Sequence, residues 1–231
     1  VIDAEIIAAG RELRLIQRLG SQVYDIDLEA AQRVGVRVCY LPIEMTVMVA
    51  EHTLAQLLTL AKRLREAMHV ITLDADWGLE PRRSDEDTFA INFTGRRGIG
   101  TLWRQTVGIM GFGEIGIELA RRLRGFDCRV LYHKRSPLPA RAEADLGIRY
   151  AEPNDLLAQC DYVVMLLPYS PETAAIVNRD FISRMKPGAC VVSCGASGIF
   201  DEQAVADALA AGTLRGVATD TFAWEPISRD S

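Results

Sequence analysis

The sequence predicts an α/β protein built on a doubly wound parallel sheet, with a partial second domain at its amino-terminal end. Two observations support this prediction. Continuous apolar runs of strand length alternate with helical patterns through the second half of the chain, as they do where helices cover both faces of a parallel sheet. A glycine-rich turn at residues 111–116 leads from one such run into an apolar helix. We expect one domain over residues 1–46 and a larger one over residues 47–231.

The first third of the chain predicts two short strands with a helix between them, followed by a long helix. Residues 13–17 and 36–40 have strand-like patterns, and residues 28–33 are rich in helix formers. Apolar residues recur with helical period over residues 46–66, which predicts a long packing helix. Residues 72–105 are rich in charge and glycine, so we expect an extended connection there.

Strands and helices then alternate to the end of the chain. The predicted strands cover residues 106–110, 128–132, 162–167, 189–193 and 216–220, and the predicted helices cover residues 117–124, 156–158, 179–185 and 201–211. Parallel strands end at one edge of their sheet, and ligands bind there. The candidate cofactor-binding residues at those ends are Leu167, Pro168, Ser170, Cys194, Gly195, Ala196 and Asp220.

The glycine-rich turn has the spacing Gly-x-Gly-x-x-Gly between a strand and a helix, which favours a dinucleotide-binding (Rossmann) unit. Gly111 permits the tight turn, Gly113 lets the backbone approach a pyrophosphate, and Gly116 lets the helix pack against the strand. The phosphate charge would lie at the helix N-terminus. An empty turn is the alternative. The candidate residues of the turn are Gly111, Phe112, Gly113, Glu114, Ile115 and Gly116.

The residues that follow the next predicted strand, residues 128–132, indicate which dinucleotide binds. An acidic residue there would hold the ribose 2′-hydroxyl of NAD, but the sequence reads His133, Lys134, Arg135 and Ser136. Two permanent cations and a hydroxyl suit a 2′-phosphate. We therefore expect NADP, with NAD as second choice. The alternative is a solvated basic turn at a strand end.

Composition excludes several classes of protein. The chain has 231 residues, of which 49% are hydrophobic and 25% charged, as in ordinary globular proteins. Its net charge of −5 and pI near 5.3 argue against a nucleic-acid-binding protein. We find no apolar run of membrane-spanning length and no signal-peptide pattern, so we expect no membrane association.

The spacing of the cysteines and histidines does not indicate a metal site. The five cysteines form no Cys-x-x-Cys pair, and the three histidines are scattered. Free thiols suit a reducing compartment. We therefore expect a cytoplasmic protein without a metal ion.

Six motifs together resemble the D-isomer-specific 2-hydroxyacid dehydrogenase family, which includes phosphoglycerate dehydrogenase and glyoxylate reductase. They lie at residues 49–52, 111–116, 166–173, 185–188, 198–202 and 220–226. The resemblance covers nearly the whole chain. It implies hydride transfer between a nicotinamide and a small-molecule substrate, a 2-hydroxy or 2-keto acid. It also implies a cleft between a dinucleotide-binding domain (residues 47–231) and a partial, flavodoxin-like substrate-binding domain (residues 1–46).

The resemblance also implies roles for individual residues. Glu225 matches the family's catalytic glutamate, which holds a histidine protonated and oriented; a carboxylate beside an imidazole raises the imidazole pKa. Asp220 matches the aspartate at the nicotinamide end of the cofactor, and Pro168 and Ser170 match the loop under the adenosine. A strand-terminating proline and a turn aspartate are the alternative readings.

This chain departs from the family pattern in its substrate site. Ala196 stands where the family has its substrate-binding arginine, and Ala196 has no donor for a carboxylate. In the substrate loop we expect contacts from Ser21 and Gln22, although Gln22 replaces a family glycine, as does Ile43.

The family's catalytic histidine has no counterpart up to Ser231. None of the three histidines, His52, His69 and His133, occupies the equivalent place. We expect the chain to be a fragment of a longer polypeptide, with the histidine beyond residue 231; a naturally shortened relative is the alternative.

Two functions follow from these patterns. The first is an NADP-preferring oxidoreductase, motivated by Glu225. The second is a catalytically impaired nucleotide-binding sensor or scaffold, motivated by Ala196 and the altered loop. The helix from residue 46 and the segment with Trp77 and Trp103 offer more apolar surface than one nucleotide domain needs, which predicts a homodimer, as the family resemblance also implies.

Overall fold

The computed structural model describes residues 2–19, 23, 25–41, 43–73 and 75–227. The helices are α1 Ala4–Ala9, α2 Leu28–Arg33, α3 Glu44–Lys62, α4 Leu64–Val70, α5 Glu114–Leu123, α6 Ala140–Leu146, α7 Pro153–Gln159, α8 Arg179–Ser183 and α9 Glu202–Ala210. The strands are β1 Leu15–Leu19, β2 Arg37–Leu41, β3 Thr106–Met110, β4 Arg129–His133, β5 Ile148–Tyr150, β6 Tyr162–Met165, β7 Ala189–Ser193 and β8 Leu214–Thr219.

The large sheet confirms the predicted fold class. Within the described residues it has six strands in the order β5-β4-β3-β6-β7-β8, and each neighbouring pair is parallel. Every residue of β3, β6 and β7 is buried, which explains why these strands are continuous apolar runs. Helices α3, α5 and α6 contribute to the core on one face, and α7, α8 and α9 to the core on the other.

A small separate sheet occupies the amino-terminal part of the chain. Strands β1 and β2 pair in parallel, with Leu15 opposite Arg37. Helices α1 and α2 pack with the strands around Ile7, Ile16 and Ala31, which are buried. Helix α3 begins just after this unit and packs on α5, β7 and β8 of the large sheet.

The predicted long helix is interrupted at Arg63, which separates α3 from α4. Arg63 adopts the left-handed conformation, with φ 52°. Residues of the following connection take up the carbonyl groups at this point: Gly100 donates its N–H to Ala61 O at 2.7 Å, and the Arg96 guanidinium donates to Lys62 O and Arg63 O. These carbonyl groups find partners outside the helix, so the helix ends earlier than its apolar pattern suggests.

The sequence did not predict the short elements α1, α6 and β5, or the 3-10 helix Arg124–Phe126 that follows α5. Helix α6 has seven residues and lies between Pro139 and Gly147, and β5 has three residues at the edge of the sheet. Elements this short have little periodicity of their own and form through packing on the sheet. Between α4 and β3 the described residues form no helix or strand, as predicted. Within the described ranges, no helix combines the length and apolarity needed to cross a membrane.

Candidate functional site

The centre of the candidate site is the crevice where the strand order reverses. Strands β3 and β6 are neighbours, but the chain proceeds from β3 to β4 on one side and from β6 to β7 on the other. Ligands of open α/β sheets bind outside the carboxyl ends of such strands. Leu166, just past β6, donates its N–H to Met110 O at the end of β3 (2.8 Å). The two strands therefore end at the same level, beside the glycine turn.

The three glycines of the turn have different steric surroundings. Gly111 has φ +89°, and a Cβ there would lie 2.7 Å from the Leu166 carbonyl oxygen. A Cβ on Gly116 would lie 3.0 Å from the Phe112 ring. A Cβ on Gly113 would meet nothing within 4 Å. Gly113 is thus open on the side where a side chain would stand, so its backbone is accessible to a ligand.

Helix α5 begins at this open glycine. Gly113 is its N-cap and provides no side-chain cap, and the helix starts at Glu114. The first N–H groups of a helix lack intrahelical partners and carry partial positive charge. A pyrophosphate fits the open space at Gly113 and the donors of α5, so the residues present suit a dinucleotide.

The basic residues predicted to choose the cofactor lie next to this turn. His133 O, at the end of β4, accepts a hydrogen bond from Gly111 N at 3.1 Å. Lys134 is half-buried, and Arg135 and Ser136 are exposed. Among the described residues, no carboxylate forms an ion pair with Lys134 or Arg135. Their charges are therefore available to an anion at this edge of the sheet.

The segments after β6 and β7 pack against each other beside the turn. Ala196 donates its N–H to Leu167 O at 3.1 Å. A Cβ on Gly195 would lie 2.8 Å from the same oxygen, so only glycine allows this close approach. Cys194 is buried, and burial raises the pKa of its thiol. The structure thus brings residues 167–168 and 194–196 together at the carboxyl edge.

A turn of the chain holds Pro168 and Ser170 in place. Thr173 Oγ1 donates to Pro168 O at 2.8 Å, and Ser170 donates its N–H to the same hydroxyl at 2.7 Å. Because one threonine bonds both, the loop leaves the sheet along a defined path at the crevice.

Asp220 follows β8 and pairs with a histidine from α3. The Asp220 N–H donates to Ser193 O at 3.0 Å, and Asp220 Oδ1 lies 3.1 Å from His52 Nε2. His52 Nε2 is also 2.8 Å from the Gln56 side-chain nitrogen. An open cleft of about 570 Å³ adjoins this pair. It is lined by Glu44, Met45, Met48, Val49, His52 and Asp220.

The sequence alone indicates no role for His52 in the site. Its contact with Asp220 depends on how α3 docks against β7 and β8, which no local pattern encodes. The available signal was weaker: His52 ends the motif at residues 49–52, and Asp220 begins the motif at residues 220–226. Both family-like motifs carry ionisable residues, which made them candidates for a contact.

The structure gives less support for the remaining predicted site residues. Glu225 is exposed, and its Oε1 accepts from Phe222 N at 3.0 Å, within its own segment. No histidine of the described residues pairs with Glu225. Ser21 and Gln22 lie outside the described residues. Ala196 contributes a backbone N–H that Leu167 already uses.

A second cavity lies elsewhere on the large sheet. This apolar groove runs between α9, β8 and residues 221–227, and it contains none of the predicted site residues. Among the described residues, no group of three or more His, Cys, Asp or Glu side chains is arranged to hold a metal ion. The glycine turn and the strand ends around it are therefore the best-supported candidate site.

Comparison with known proteins gives consistent results. The NAD-binding domain of the D-isomer specific 2-hydroxyacid dehydrogenase family matches residues 54–231. D-3-phosphoglycerate dehydrogenase of Mycobacterium leprae is 35% identical over 228 residues, which are 98% of this chain and 40% of that protein. Glyoxylate reductase of Thermococcus kodakarensis is 34% identical over 226 residues, 97% of this chain and 65% of that protein. The chain thus spans less than two thirds of these relatives.

Solved structures agree with this assignment. The TT0316 protein from Thermus thermophilus superposes with a TM-score of 0.66 and 30% sequence identity, and the match covers 100% of this chain and 68% of that chain. The similarity therefore extends over both the small and the large sheet.

Proposed function

The chain belongs to the D-isomer specific 2-hydroxyacid dehydrogenase family, and on this basis we propose that it carries the cofactor site of an NADP-preferring oxidoreductase. The substrate class is a 2-hydroxy or 2-keto acid or a related carbonyl compound. The observation that carries the NADP choice is that Lys134 and Arg135, beside the glycine turn, form no ion pair with a carboxylate of the described residues. A 2′-phosphate would accept charge-assisted hydrogen bonds from them.

Each part of the crevice has a role in this proposal. Gly113 and the N-terminus of α5 hold the pyrophosphate, and residues 134–136 hold the 2′-phosphate. Residues 167–170 and 194–196 bound the rest of the cofactor, and Asp220 contacts its nicotinamide end. When bound, a nicotinamide supplies or accepts a hydride. In this proposal residues 1–46 form a partial substrate-binding domain and residues 47–231 form the dinucleotide-binding domain.

Glu225 is the proposed catalytic residue of this chain. A carboxylate stabilises an adjacent protonated imidazole and fixes its orientation, and such an imidazole can protonate a developing alkoxide. In this structure Glu225 bonds to Phe222 N, so the role requires that Glu225 exchange this contact for a histidine in the active arrangement.

A second function is supported by a specific observation at Ala196. The residue at the family's arginine position has a methyl side chain, and its N–H is occupied by Leu167 O. A carboxylate substrate would find no charged donor there. This favours a nucleotide-binding sensor or scaffold, which would bind NADPH without reducing a 2-keto acid.

Oxidation of NADPH separates these two functions. The longest obtainable polypeptide that contains this chain is mixed with NADPH and glyoxylate, hydroxypyruvate or phenylpyruvate, and the NADPH absorbance is followed. Turnover of any of them supports the oxidoreductase; tight NADPH binding without turnover supports the sensor. The Ala196→Arg variant provides a matched comparison, because a gain of 2-keto acid reduction would show that the missing guanidinium limited activity.

We also propose a cytoplasmic homodimer. The five cysteines are unpaired, as in proteins of reducing compartments, and large exposed side chains of α3 such as Met45 and Met48 offer apolar surface. Light scattering should give about twice the 25.5 kDa mass of one chain; a mass of one chain would exclude the dimer.

A further inference from the structure

Tyr132 is a buried polar residue between the glycine turn and the basic loop. It lies in β4, opposite Ile109 of β3, and its side chain is 0% exposed. A buried phenol is tolerated when its hydroxyl has hydrogen-bond partners. The partners of this hydroxyl show what Tyr132 holds in place.

The Tyr132 hydroxyl closes the loop of residues 133–138, which we call the basic loop. It accepts a hydrogen bond from Leu138 N at 2.6 Å and donates one to Glu143 Oε1 of α6 at 2.7 Å. Leu138 stands between Pro137 and Pro139, which have no N–H. Leu138 therefore supplies the backbone donor available at this end of the loop, and Tyr132 takes it.

The ring of Tyr132 contacts the glycine turn as well. Its centroid lies 4.6 Å from that of Phe112, which belongs to the turn, and 5.6 Å from that of Tyr150 in an edge-on arrangement. Burial raises the pKa of the Tyr132 hydroxyl, so the group stays protonated and can donate to Glu143. One side chain thus connects the proposed pyrophosphate and 2′-phosphate sites.

We propose that Tyr132 is a positioning residue for cofactor choice, which holds the basic loop so that Lys134 and Arg135 face the 2′ position of the bound dinucleotide. This inference rests on the proposed function. The loop is tied to the turn at His133 and to Tyr132 at Leu138. Without the hydroxyl the second tie is lost, and the cations between the ties lose their fixed position. The pyrophosphate site keeps its geometry, because the ring still packs against Phe112.

The Tyr132→Phe variant tests this role in the full chain. It keeps the ring and leaves Leu138 N and Glu143 without their partner. Isothermal titration with each cofactor should show a Kd for NADPH raised about five- to tenfold and a Kd for NADH changed less than about twofold. The measured quantity is the ratio of the two Kd values, which a general loss of stability does not move.

Tyr162→Phe is the matched control. Tyr162 is also buried in a strand of the large sheet, and its hydroxyl accepts from the Arg215 guanidinium at 2.9 Å. Its loss should lower stability in the same way but leave the Kd ratio unchanged. Glu143→Gln keeps an acceptor oxygen for Tyr132 and should retain the Kd ratio. Glu143→Ala removes the acceptor that directs the hydroxyl lone pairs toward Leu138 N, so it should shift the ratio in favour of NADH. If Tyr132→Phe does not fold, the Glu143 pair still decides the proposal.

The outcomes separate this inference from the proposed function. A wild-type chain that binds NADH more tightly than NADPH would contradict the NADP preference alone. The Tyr132→Phe ratio would still be expected to change, because displaced cations weaken the contact with the 2′-phosphate, which NADPH carries and NADH lacks. An unchanged ratio in a folded Tyr132→Phe variant, or in Glu143→Ala if that variant fails to fold, would overturn the positioning role whichever cofactor the wild type prefers.

Discussion

His52 Nε2 and Asp220 Oδ1 lie 3.1 Å apart and join α3 to the carboxyl end of β8. The pair is about half exposed, so its contribution to stability is small, about 0.2–1 kcal/mol. Its position is more informative than its strength, because Asp220 is the residue proposed to contact the nicotinamide end. His52 is therefore placed to orient a proposed cofactor contact.

Replacing His52 should weaken the binding of NADPH and of NADH equally. In His52→Ala the Asp220 carboxylate loses its partner from α3, and we expect the Kd values for NADPH and NADH to rise about two- to fivefold in titration calorimetry. His69→Ala is the control, since His69 lies on the exposed helix α4. Unchanged affinities in His52→Ala would show that Asp220 needs no support from this pair.

Replacement by alanine should lower cofactor affinity at Gly113 but folding stability at Gly111. Gly113 has extended backbone and open space at its Cβ position, so Gly113→Ala should unfold in urea at the wild-type midpoint but lose at least about tenfold in cofactor affinity. Gly111→Ala combines a positive φ with a clash at Leu166 and should lose about 2 kcal/mol or more of stability. Normal cofactor binding by Gly113→Ala would argue against a pyrophosphate at this turn.

Charge reversal at Arg135 should lower the affinity for NADPH much more than the affinity for NADH. Arg135→Asp places a carboxylate near the 2′-phosphate and should raise the Kd for NADPH far more than that for NADH, by about tenfold or more. Arg37→Asp changes the net charge equally on the exposed side of β2 and should leave both Kd values close to wild type. Equal weakening of both cofactors by Arg135→Asp would contradict contact with a 2′-phosphate.

Stability should fall at alkaline pH because of buried thiols. Burial raises the pKa of Cys160 from 9.0 to about 12, so the folded state keeps the proton that the unfolded state releases. The stabilisation is present below about pH 9 and is lost as pH rises toward 12, at up to about 1.4 kcal/mol per pH unit for this group. Urea unfolding at about pH 8 and pH 10.5 should show this loss, with a smaller loss in Cys160→Ala. Equal losses would show that Cys160 does not contribute.

The sequence predicted the central strands of the large sheet well because they are buried on both faces. Such strands are continuous apolar runs that stand out between polar turns, as at residues 189–193. Helix α6 and strand β5 were not predicted because they are short and depend on packing. The interruption at Arg63 depends on donors from Arg96 and Gly100, more than thirty residues away in the chain.

The candidate site also combines local patterns, which the sequence predicts, with contacts between distant elements, which it does not. The glycine turn and the basic residues after β4 are local patterns, so the sequence located them. The contact of His52 with Asp220 and the bond from Leu138 to Tyr132 join residues of different elements. These contacts follow from how α3 docks and from how the basic loop folds back, which residue spacing alone does not encode.

We propose above all that this turn binds a nicotinamide dinucleotide and prefers the 2′-phosphorylated form. Calorimetric titration of the full chain with NADPH and NADH, at one ionic strength, tests it most directly. We predict that NADPH binds at least about tenfold more tightly than NADH. Tighter binding of NADH, or no binding of either cofactor, would contradict the claim.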